Sequence, residues 1–161
     1  MQTLLPLAAK VGDLLKSRKE TIAIAESSSG GLISASLLSV AGASQYFIGG
    51  TVCYTRKSMR ETLGLTDAEF AQMRGLTEPT ALVLARAIRA RLSSSWGIAE
   101  IGASGPTGSR YGDPPGTSCI AVVGSVERAI KVQTGSADRT ANMRAFAQAA
   151  LQLIDQALTK A

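Results

Sequence analysis

The chain contains no histidine. That excludes Ser-His-Asp and Cys-His catalysis and removes nearly every zinc arrangement, so any base must come from Lys, Glu, Asp or Tyr. Only two cysteines occur, Cys53 and Cys119, far apart and each inside an apparent strand, which reads as reduced, buried thiols of a cytoplasmic protein. No apolar run approaches the roughly 18–20 residues of a membrane span. The opening Met1-Gln2-Thr3-Leu4-Leu5-Pro6 lacks the basic, apolar and small-residue order of a signal peptide. Aromatic residues are scarce, at 4%. The net charge of +5 suits phosphate-bearing ligands, but no block interleaves cations with aromatics, which argues against DNA as partner.

What is present fits one ordinary domain spanning residues 1–161, 45% apolar and large enough to bury a core without disulfides or metal. Leu4, Ala8, Val11 and Leu15 repeat at helical spacing. A short apolar run, 21–25, reads as a buried strand, broken by Glu26–Gly31 and followed by a small helix over 32–38. A second strand is expected over 46–54. A short helix from about Lys57 ends where Gly64 reads as its cap, and Thr66 to Glu69 begins another turn. Glu78-Pro79 opens an amphipathic helix on Leu82, Ala85, Ile88 and Leu92. Strands follow over 97–103, 117–123 and 128–134, and a closing helix over 138–160. Helices alternating with apolar strands, plus a late hairpin, predict a three-layer α/β/α sandwich with a mixed sheet.

Two loops stand out, each following a strand: Ala25-Glu26-Ser27-Ser28-Ser29-Gly30-Gly31 and Gly102-Ala103-Ser104-Gly105-Pro106-Thr107-Gly108. Both are expected at the carboxyl edge of the sheet, where open α/β folds bind ligands. Together with Tyr54-Thr55, Leu63-Gly64-Leu65, Pro115-Gly116-Thr117 and Asp138-Arg139, in one order along nearly the whole chain, they resemble the CinA C-terminal domain family. The best-characterised members of that family are nicotinamide mononucleotide (NMN) deamidases, which release ammonia and nicotinate mononucleotide. The resemblance implies a cofactor-free amidohydrolase with a serine nucleophile, a lysine base and no metal. It matches Ser27 to the nucleophile.

For the ligand, the resemblance points to the turn Ser28, Ser29, Gly30 and Gly31, to Tyr54, to Gly102, Ser104 and Gly105, and to Arg144 of the last helix as a phosphate contact. A serine at a strand-to-helix elbow lies near free backbone N–H groups that can bind an oxyanion or phosphate. The family also implies a homo-oligomer. Ser28 and Ser29 stand where its pattern has Cys and Thr, Ser104 stands at its alanine, and two further positions lose a polar group. The lysine, five residues after the tyrosine, is Met59 here, and a thioether accepts no proton; the hydroxyl that opens the second loop is Ile101. Lys57, Arg60, Glu26 and Glu61 are poor replacements by helix and strand geometry. Two readings follow: an NMN amidohydrolase, or a catalytically silent homologue that binds a nucleotide or a protein partner.

Overall fold

A computed structural model describes residues 2–160; Met1 and Ala161 lie outside the described residues. In chain order the elements are α1 (Leu5–Arg18), β1 (Ile22–Glu26), α2 (Leu32–Leu38), β2 (Phe47–Val52), α3 (Arg56–Leu63), α4 (Asp67–Gln72), α5 (Glu78–Arg91), β3 (Trp96–Ala103), β4 (Thr117–Val123), β5 (Glu127–Gln133) and α6 (Arg139–Lys160). Five strands form one sheet in the order β2-β1-β3-β4-β5. The first three run parallel, while β4 and β5 are antiparallel additions, so the sheet is mixed as expected.

Local chemistry explains most boundaries. Thr55 and Thr66 each form a reciprocal capping box, with Ser58 and Glu69 three residues on. Thr77 caps α5, with Pro79 in its first turn. Gly64 ends α3 in the left-handed region, at φ 66°. Cys53 falls just beyond β2 rather than within it, although its N–H still donates to the Glu26 carbonyl at 2.8 Å.

Alternation along the strands sorts side chains into two cores. Ile22, Ile24, Ile98, Ile120 and Val122 face α1, α2 and α6. Ala23, Ala25, Ala99, Cys119 and Ala121 face α3 and α5. The second set is small, so α5 lies directly on the sheet. A Cβ on Gly97 would stand 2.3 Å from the Ala85 carbonyl oxygen, so this strand position admits no side chain.

Burial pushes the thiols of Cys53 and Cys119 up to about 11. Thiolate is therefore scarce at neutral pH, and both cysteines are almost fully enclosed. An aromatic disulfide reagent is expected to titrate neither thiol in the native protein at pH 8 and both in denaturant. Rapid modification of either thiol in the folded protein would contradict the burial.

Candidate ligand-binding site

β1 ends at the loop 27–31, and pleating sends consecutive side chains to opposite faces there. Glu26 points toward α2 and is fully buried. Its carboxylate accepts N–H donors from Gly31 (3.0 Å), Ile33 (3.0 Å) and Ser34 (2.7 Å), and a hydroxyl from Ser29 (2.8 Å). Acceptors of negative charge over the free N–H groups of a helix start are favourable on both hydrogen-bond and dipole grounds.

Glu100, the one charged residue of β3, is likewise fully buried. It accepts from the N–H groups of Ser27 (3.2 Å) and Ser29 (2.8 Å), and from the hydroxyls of Ser28 (2.5 Å), Ser29 (2.9 Å) and Ser118 (2.8 Å). Gly102 makes this convergence possible, since a Cβ there would come within 2.6 Å of Ser28 Oγ. The two carboxylates thus clamp the elbow from beneath.

The clamp changes the meaning of the loop. Of the amides expected to face a ligand, that of Ser29 donates to Glu100 and that of Gly31 to Glu26, and Gly30 N–H donates to the Ser27 carbonyl at 3.2 Å. Ser28 and Ser29 spend their hydroxyls inside the fold. Of the three serines, only Ser27 lines the large cleft on the α3/α5 side of the sheet edge.

That cleft has a volume of about 590 Å³. Its floor and one wall are Ser27, Ile101, Gly102, Ser104 and Gly105, so the ends of β1 and β3 meet as anticipated. Met59 lines the same cleft as Ser27 and is only 3% exposed. Lys57 stands at the rim with its side chain 82% exposed, 3.9 Å from Glu61. Tyr54 also lines the cleft, largely exposed, and its hydroxyl accepts from Arg139 at 3.2 Å.

Arg144 is not brought to the site: it is exposed on α6, near Asp138, and does not line the cleft. Arg139, one turn and more earlier, does. It donates to the Gly105 carbonyl at 2.7 Å, tying the second loop to the start of α6. Arg56 and Arg110 complete the cationic lining. Arg56 lies over the Phe70 ring at 4.3 Å and donates to the Met73 carbonyl at 2.8 Å, so its guanidinium is held in place.

Among the described residues no carboxylate lines this cleft and four cations do, namely Arg56, Lys57, Arg110 and Arg139. One hydroxyl is left over. Ser104 Oγ is buried at the cleft wall without a hydrogen-bond partner. Unpaired buried polar atoms are uncommon and carry a cost.

The long loop after β3 is shaped by Asp113, which binds the Ser109 hydroxyl at 2.7 Å and the Lys131 ammonium at 2.8 Å. The Lys131 hydrogen bond, foremost, holds the Asp113 carboxyl below its ordinary value. Glu100 was detectable in the sequence as a lone charge in an apolar strand, and Arg139 as part of Asp138-Arg139. Nothing in the pattern pointed to Arg56 or Arg110.

The CinA C-terminal domain model matches residues 4–158. The chain belongs to the CinA C-terminal domain family. Among curated CinA relatives, a CinA-like protein of Salinibacter ruber is 36% identical over 146 residues, covering 91% of this chain and 35% of the relative. A putative competence-damage inducible protein of Desulforamulus reducens is 42% identical over 112 residues, covering 70% of this chain and 27% of the relative. The chain therefore spans about a third of the length of the curated relatives it matches. A CinA superfamily crystal structure from Klebsiella pneumoniae superposes with a TM-score of 0.89 at 22% identity, covering 97% of this chain and 98% of that one. This likeness establishes the α/β fold with its mixed five-stranded sheet. Among the described residues, no helix is long and apolar enough to cross a membrane.

Proposed function

We propose that this CinA-family chain binds a phosphate-bearing mononucleotide of the NMN kind in the cleft beside Ser27. The observation that carries the reading is the lining among the described residues: four cations, no carboxylate, and the orphaned Ser104 hydroxyl around about 590 Å³. That volume lies within the range of small-molecule sites, roughly 300–1,000 Å³. A cleft of one charge sign concentrates an anionic ligand. Arg139 and Arg56, each already anchored to a backbone carbonyl, offer their remaining N–H groups to phosphate without much further ordering.

Binding is expected to raise the melting temperature of the native protein with increasing NMN, because ligand stabilises only the folded state. Arg139→Ala reduces that shift and added salt weakens it. Absence of any shift at millimolar NMN sinks the reading.

A second reading, NMN amide hydrolysis, is favoured by one observation: Ser27 alone of the loop serines faces the cleft. Against it stands Met59, which supplies no base at the family's lysine position. Ammonia release that is present in the wild type and lost in Ser27→Ala is its signature; turnover no higher than a protein-free blank disposes of it.

A further inference from the structure

A second cleft of about 580 Å³ adjoins the first. Arg56, Met73, Gly75, Leu76 and Tyr111 line both, so they form a shared ridge rather than a partition between unrelated hollows. Beyond the ridge the second cleft adds Arg74, Thr77, Asp113 and Lys131. Its lining holds three cations, Arg56, Arg74 and Lys131, against the single carboxylate of Asp113, already paired with Lys131 at 2.8 Å. The guanidinium of Arg74 is exposed and has no hydrogen bond or ion pair among the described residues. An ammonium has three donors, so Lys131 retains capacity after binding Asp113.

The ridge itself is suited to a ligand that crosses it. Arg56 is fixed there by Phe70 and the Met73 carbonyl, and presents its charge to both sides. Tyr111 is 50% exposed, with the Arg110 guanidinium 5.2 Å from its ring centre. The guanidinium lies over one face of the ring, so a nucleobase would stack on the ring's remaining exposed surface or on the guanidinium plane itself. Two anion-accepting hollows joined by a fixed arginine and a stacking ring match a ligand with two nucleoside ends and a charged linker.

We infer that the two clefts form one extended site for a pyrophosphate-linked dinucleotide, with one nucleotide beside Ser27, the pyrophosphate over Arg56, and the second nucleotide between Tyr111 and Arg74. The inference rests on the mononucleotide reading above and extends it across the ridge. Engagement of the second cleft adds charge-assisted contacts and stacking that a mononucleotide leaves unused.

Calorimetric titration with NMN and with NAD+, which contains NMN as one half, tests it. NAD+ is expected to bind about tenfold tighter or better than NMN. Arg74→Ser removes most of that advantage while leaving NMN affinity within about twofold, because the side chain touches only the second cleft. Tyr111→Ala, at the ridge, weakens NAD+ more than NMN. If NMN binds but NAD+ binds no better, or if Arg74→Ser leaves the NAD+ advantage intact, the extended site is overturned and the mononucleotide reading survives. If neither ligand binds, the mononucleotide reading falls and this inference falls with it.

Discussion

Glu26→Ala is expected to cost about 3–5 kcal/mol of folding stability, enough to leave the domain barely folded. The reason is the number of donors that converge on one fully buried carboxylate. Removing it takes the acceptor from the N–H groups of Gly31, Ile33 and Ser34, of which that of Ile33 is fully buried and the other two are partly buried. Each buried unsatisfied donor costs about 1–3 kcal/mol, and the start of α2 loses the negative charge that opposes its dipole. Glu26→Gln keeps one acceptor oxygen but turns an NH2 group toward backbone donors, so its loss is intermediate. Urea denaturation monitored by circular dichroism measures both. A loss below about 1 kcal/mol for Glu26→Ala contradicts the clamp. The companion variant Glu100→Ala should also loosen the elbow, because Ser27, Ser28, Ser29 and Ser118 all donate to that carboxylate.

Met59→Lys is expected to raise NMN-dependent ammonia release by about a hundredfold or more over the wild-type chain, the usual scale of a positioned general base. Met59 lines the Ser27 cleft at 3% exposure, among Met73, Leu76 and Ile101. A lysine introduced there is desolvated and shares the cleft lining with Arg56, two conditions that favour its neutral, proton-accepting form. Ser27→Ala in the Met59→Lys background should return turnover to blank, which separates a restored Ser-Lys pair from a stray amine effect. A folded Met59→Lys protein that binds NMN and releases no ammonia shows that the base is not the only missing group. Ile101 is then the next position to restore, as Ile101→Ser, because it lines the same wall.

Much of the architecture is legible in the sequence. The small helix 32–38 and the strand 117–123 match the observed bounds, and the remaining elements differ by a few residues at most. Capping threonines, Gly64 and Pro79 act locally, and apolar periodicity reports which face is buried wherever a helix or strand is regular. The meeting of the two Ser/Gly loops at one sheet edge followed from parallel strands and short connections, without knowledge of any contact. Met59 and Ile101 are apolar residues that line the cleft, and their residue types are readable from the sequence alone.

The direction of hydrogen bonds was not legible. Glu26 and Glu100 are 74 positions apart in reach, joined only when β1 and β3 pair, and that pairing turns the loop's amides inward. A sequence carrying Ser-Ser-Ser-Gly-Gly after a strand is compatible with an anion-binding turn or with a turn that is itself the ligand of two buried carboxylates. The choice depends on long-range packing. Likewise Arg144 and Arg139 share one helix, and only the rotation of α6 against the Gly105 loop brings Arg139 to the cleft and leaves Arg144 in solvent. Local propensity and apolar period set the elements and their order, because those forces act over a few residues. Which serine faces a ligand, and which cations surround it, follows from contacts between segments far apart in the chain, where a one-residue change of facing exchanges inside for outside.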